Sequence, residues 1–179
     1  MPMYHEGNRE LQDRFGARLL ADRLVERLWR DRFKDEDKAF IETVGHFFLA
    51  TADAGGHPDC SFKGGPPGFV KIPAPDLLVF PDYDGNGMFK SLGNIKVNPQ
   101  VGLLFMTMGE KPQRLRVNGR ASLHFDDPMS LLQNASQRIA RDVMLTLRAH
   151  PCLCISRFDA SASLISTHLR RRRPAARLW

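Results

Sequence analysis

Apolar residues recur at helical spacing over residues 8–33 and at a period of two over Arg114–Phe125, so the chain joins a helical start to an extended body. The first stretch contains no proline and only Gly16 against it, which predicts one long helix. At about 100° per residue, Leu11, Phe15, Leu19, Trp29 and Phe33 gather on one side, and Leu20, Leu24 and Leu28 on another. Two stripes mean either a helix that packs on more than one surface or a core-facing helix with a ragged edge. Arg27, Arg30, Asp31 and Arg32 are expected in solvent. A shorter helix, Asp35–Thr43, opens with acids that suit a helix N-terminus.

From Gly45 the pattern becomes extended. Phe47–Thr51 and Pro58–Lys63 read as strands joined by a turn at Asp53–Gly56, a hairpin. Gly64–Gly68, GGPPG, then breaks all regularity: it is either a bare backbone that lets a flat ligand lie close or a tight loop between strands. Short strands follow at Phe69–Ile72, Leu77–Phe80 and Val101–Met106, with a turn at Asp82–Gly87 and a short helix before the last of them. In Arg114–Phe125, Leu115, Val117, Gly119, Ala121 and Leu123 alternate with Arg114, Arg116, Asn118, Arg120 and Ser122, which buries one face. Asp127–Leu147 reads as a helix with Pro128 in its first turn, and Cys152–Phe158 as a final strand. Hairpin spacing with helices at both ends implies an α+β domain on an antiparallel barrel rather than an alternating βαβ sheet. The divisions are a helical region at 1–44, a barrel domain at 45–158 and a flexible basic tail at 159–179.

Composition changes this picture little and charge changes it once. The chain has 179 residues, the size of one domain, and no apolar run of the roughly 18 residues a membrane span needs. Its start, Met1–Glu10, lacks the apolar core of a signal peptide, and three cysteines (Cys60, Cys152, Cys154) do not form a disulfide framework, so a reducing, cytoplasmic setting is expected. The net charge of +6 suggests a polyanion until it is located. Arg170–Arg173 and Arg177 supply five of these charges, leaving +1 for the rest, so the basicity belongs to a tail and a nucleic-acid partner is not expected.

Candidate chemistry centres on Leu77–Phe105. Lys90 and Ser91 follow a turn rich in Asp and Gly and open a helix, where backbone N–H groups and a positive side chain can converge on an anion. The spacing of a P-loop fails at Phe89, and that of a dinucleotide fingerprint fails at Phe89 and Lys90. What remains is that Asn86, Gly87, Lys90, Ser91 and Asn94 lie within about two helical turns, as a phosphate site or as a capped surface helix with a solvated lysine. Scattered histidines give no triad, Cys60 has no cationic neighbour to activate it, and Asp82 with Asp84 reads as turn chemistry. A chain with no acid–base apparatus but a candidate phosphate site suits cofactor chemistry, where the protein mainly binds and orients.

Three segments in order, FFLATADAGGHPDCSFKGGPPGFVKI, LLVFPDYDGNGMFKSLGNIKVNPQVGLLF and RLRVNGRASL, resemble the pyridoxamine 5′-phosphate oxidase-like family of FMN-binding split-barrel proteins. The likeness covers roughly residues 40–125, and Asn98–Phe105 is its most specific part. The resemblance implies a six-stranded antiparallel split β-barrel with a long N-terminal helix and peripheral helices, and a homodimer with FMN at the subunit interface. Carried over by position, it implies that Lys90 and Ser91 meet the FMN phosphate, and Asn86, Gly87 and Asn94, grouped with them by spacing, join the expected cofactor-binding set. Ser61, Phe62, Lys63 and Gly64 would run beside the ring, and Arg116 and Asn118 would lie on a third contributing strand. Ser61 stands where the oxidases proper carry an arginine, and the vitamin B6-binding residues near their C-terminus have no counterpart in 150–179. The expectation is an FMN-dependent oxidoreductase of unknown small-molecule substrate, or else a non-catalytic flavin- or haem-binding sensor or carrier.

Overall fold

A computed structural model describes residues 3–83, 86–108, 112–125 and 144–157, the last segment by its backbone except at Leu147, and the described residues form seven antiparallel strands and four helices. The helices are α1 (Glu6–Arg14), α2 (Arg18–Leu28), α3 (Asp35–Thr43) and α4 (Lys90–Val97). The strands are β1 (His46–Ala52), β2 (Pro58–Gly64), β3 (Lys71–Ala74), β4 (Leu77–Pro81), β5 (Gln100–Met106), β6 (Gln113–His124) and β7 (Met144–Arg157). They form one sheet in the order β2-β1-β5-β6-β7-β4-β3, seven strands where six are expected.

The sheet is strongly curled. β1 and β4 are four steps apart in the order, about 19 Å in a flat sheet. Yet the rings of Phe47 on β1 and Phe80 on β4 meet edge to face with centroids 4.9 Å apart. Only a sheet rolled around its inner face permits that contact. The inner face carries Phe47, Leu49, Leu78, Val101, Leu103, Phe105, Leu115, Val117, Ala121 and Leu147, and Leu92 and Ile95 of α4 join them. Alternation in β6 therefore does what its sequence predicts, with Leu115, Val117, Gly119 and Ala121 buried and Arg116, Asn118 and Arg120 exposed.

Three elements depart from expectation. The long helix over 8–33 is two helices, because Gly16 takes φ +64° and the chain turns there. Gly16 donates to the Asp13 carbonyl and Ala17 to that of Gln12, the paired bonds that finish a helix on a left-handed glycine. Arg9 of α1 then reaches Asp22 of α2 at 2.6 Å, fastening the two segments together. Residues 144–147, read as the end of a helix, instead pair with both β4 and β6, and the rest of the expected helix before Met144 lies outside the described residues. The expected strand from Cys152 is the second half of this longer β7, and Pro151 sits where the β6 register shifts between Arg116 and Asn118, a bulge being a place where a strand tolerates proline. Arg30, expected in solvent, instead holds Asp37 with two bonds of 2.5 and 2.8 Å, and Asp37 is fully buried. The same carboxylate accepts the Lys34 N–H at 2.8 Å and so caps α3.

Candidate functional site

β2 ends the ladder, and its inner face extends past the hydrophobic core. There the alternation places Asp59, Ser61 and Lys63 on one side of the strand, opposite Thr51, Leu49 and Phe47 of β1. Each of the three finds a partner on the segment from β4 to α4. Lys63 Nζ meets Asp82 Oδ1 at 2.5 Å, Ser61 Oγ meets Ser91 Oγ at 2.8 Å, and Lys90 Nζ meets Asp59 Oδ1 at 3.1 Å. Two of these polar rungs join the sheet edge to the start of α4, and the third joins it to the segment just after β4.

Around these rungs lies a cleft of about 580 Å³, bounded by residues 59–64 on one side, Pro81, Asp82 and Tyr83 behind, and 86–92 on the other. Its floor is aromatic. Phe69 is buried against Tyr83 with ring centroids 6.3 Å apart, and Gly65 makes room for both: a Cβ there would lie 2.6 Å from the Phe69 ring. Of the glycines in GGPPG only Gly68 has a positive φ, and the missing side chain at Gly65 serves the packing of Phe69 and Tyr83. Burial raises the Tyr83 phenol above its usual range.

The helix start is formed unusually. Phe89, the N-cap of α4, has φ +49°, the one positive φ outside glycine among the described residues, and it offers no side-chain cap. A left-handed phenylalanine costs roughly 1–2 kcal/mol. The first N–H groups of α4, at Lys90, Ser91 and Leu92, have no acceptor within the helix, as at any helix start. Before it, Asn86 Oδ1 accepts the Met88 N–H at 3.1 Å, a side-chain turn that shapes the approach to the helix.

The residues singled out from sequence divide cleanly by location. Ser61, Phe62, Lys63, Gly64, Asn86, Gly87, Lys90 and Ser91 all line the cleft. Asn94 does not: its amide donates to Thr51 Oγ1 at 3.0 Å and ties α4 to β1. Arg116 and Asn118 lie on the outer face of the sheet, in cross-strand rows that read Phe62–Phe48–Leu104–Arg116 and Cys60–Ala50–Gly102–Asn118. On that face Phe62 is 62% exposed and stacks on His46 with centroids 5.5 Å apart. Asp59, Asp82, Phe69 and Tyr83 were missed. Asp59 carries a signal, since it shares the period of two with Ser61 and Lys63; Asp82 reads locally as a turn residue and its partner is distant in sequence. Among the described residues no group of acids, histidines and cysteines could hold a metal ion, and no helix is long and apolar enough to cross a membrane.

A family model described as pyridoxamine 5′-phosphate oxidase matches residues 33–162. Among solved structures, a Lactobacillus delbrueckii protein described as a pyridoxamine 5′-phosphate oxidase has a TM-score of 0.53 at 20% identity, the likeness covering 69% of this chain and 97% of that one. A variant of HupZ from Group A Streptococcus has a TM-score of 0.52 at 15% identity, covering 70% and 98%. Likeness at these identities is one of fold. No curated protein matches the chain.

Proposed function

The chain belongs to the pyridoxamine 5′-phosphate oxidase family, and from that premise we propose that it is a split-barrel flavoprotein that binds FMN in the cleft beside α4 and acts as an oxidoreductase on a small molecule. The observation that carries the reading is the convergence of the α4 N-terminus, Lys90 and the Ser61–Ser91 hydroxyl pair on one end of a cleft whose floor is aromatic. Helix N–H groups, hydroxyls and an ammonium are the donors a phosphate takes. Phe69 and Tyr83, with Phe62 and Phe89 at the rim, offer apolar surface for a flat ring system. The donor set therefore fits FMN.

When bound, FMN would supply hydride acceptance and the return of electrons to oxygen or another acceptor. The chain's part is to hold and shield it. Lys90 and the first amides of α4 would fix the phosphate, Ser61 and Ser91 would turn their hydroxyl protons toward it, and the aromatic floor would exclude water from the ring. Arg116 and Asn118 do not reach the cleft of their own subunit, and they share the outer face with the exposed Phe62. A homodimer that covers this face would bring them to the cofactor from the second subunit, which is the arrangement we favour.

The visible absorption spectrum of the purified protein tests the reading, together with quenching of FMN fluorescence on titration. A flavin spectrum or saturable quenching is expected. Colourless protein that leaves FMN fluorescence unchanged would overturn it, and a bound flavin that no pyridine nucleotide or other reductant turns over would point to a carrier instead.

A further inference from the structure

We propose that Asp59 is a built-in competitor for the phosphate of a ligand docked at the start of α4, and so sets how tightly the cleft holds a phosphorylated compound. The inference rests on the FMN-binding reading above. Among the described residues lining the cleft, the cations are Lys63 and Lys90 and the anions are Asp59 and Asp82. The walls therefore carry no net charge, although a phosphate monoester near neutral pH carries about −1.5 to −2.

The two ion pairs differ in kind. Lys63 and Asp82 are both largely covered and 2.5 Å apart, so they fasten β2 to the segment after β4. Lys90, by contrast, is 58% exposed and touches Asp59 at 3.1 Å, while Asp59 is only 18% exposed. The lysine is the exposed member and the carboxylate the covered one. A phosphate at the first amides of α4 would share Lys90 with Asp59, and two anions would then face one ammonium. Their mutual repulsion lowers the affinity that the helix start and the lysine otherwise provide. The cost grows with the charge on the ligand, so a monoester is disfavoured more than a diester, and a compound without phosphate is unaffected. Asp59 would thereby act on specificity without touching the ring that does the chemistry.

The test is a fluorescence titration of FMN and of riboflavin into the full chain and into its Asp59→Asn variant at low ionic strength. The variant is expected to bind FMN roughly three- to tenfold more tightly, the scale of one like charge at a partly exposed site. Riboflavin affinity is expected to stay within about twofold, and the FMN gain to shrink as salt is added. If Asp59→Asn melts without cooperativity, Asp59→Ser takes its place with the same expectations. Equal or weaker FMN binding by the variant, or an equal gain for riboflavin, sinks the inference while leaving the flavin reading intact provided the parent protein binds FMN. Absence of FMN binding by both proteins removes the inference and the reading together.

Discussion

Single side chains separate what fastens the fold from what is available to a ligand. Asn94 and Lys63 are both candidates for cofactor contact by sequence, yet Asn94 spends its amide on Thr51 and Lys63 its ammonium on Asp82. Lys90 keeps the most exposed ammonium in the cleft. Lys90→Ala is expected to weaken FMN binding by about 1.5 kcal/mol, the lower end for a hydrogen bond to a charged group, with riboflavin unchanged. Equal losses for both ligands would assign Lys90 to packing. Asp37 is the opposite case, a carboxylate with no exposure that serves Arg30 and the Lys34 amide at once. Its replacement by alanine is expected to cost about 3 kcal/mol in urea unfolding, because it strands a guanidinium and uncaps α3. A loss below about 1 kcal/mol would show that solvent takes over the role. Residue types make Lys90 and Ser91 legible in the sequence. Pairings 30 or so positions apart, such as Ser61 with Ser91, leave no local mark.

Elements whose cause is local are legible in the sequence, and those whose cause is distant are not. β1, β2, β4, β5 and β6 each carry a period of two or a flanking turn, and each lies within a residue or two of its expected bounds, β6 ending at His124 rather than Phe125. β7 starts where Met144–Leu147 suits helix and strand alike, and it is a strand because β4 and β6 present open edges on either side of it. The break at Gly16 is a milder case. One glycine in a helical pattern is commonly tolerated, but this one has φ +64° and open space, with nothing within 4 Å of where a Cβ would stand, so only backbone strain opposes a side chain. Gly16→Ala is therefore expected to destabilise by about 1 kcal/mol with no change in FMN affinity. A stabilising effect would mean that α1 and α2 prefer to run straight.

Among the described residues, two groups of exposed apolar side chains bear on assembly: Leu11, Phe15, Leu19 and Leu20 on the N-terminal helices, and Phe62 on the outer face of the sheet. Patterning marks the first, which draws on both stripes, but nothing in one sequence says what covers a stripe. The second is where the proposed dimer would form. Phe62→Glu is expected to give a monomer in sedimentation velocity and to lose FMN in the same preparation. A variant that stays dimeric and retains FMN would move the interface elsewhere. The curl of the sheet adds a consequence of another kind. Because β2 closes one end of the ladder, it is hydrogen-bonded to β1 alone among the described residues, while β5 and β6 are bonded on both sides. Amides on such an end strand open to solvent with less free energy than those in the middle of a sheet. Amide exchange of the free protein is thus expected to be faster along β2 than along β5 or β6, and to slow there more than in β5 or β6 when FMN is added. The wall that carries Asp59, Ser61 and Lys63 would then be the part of the fold that a ligand finishes.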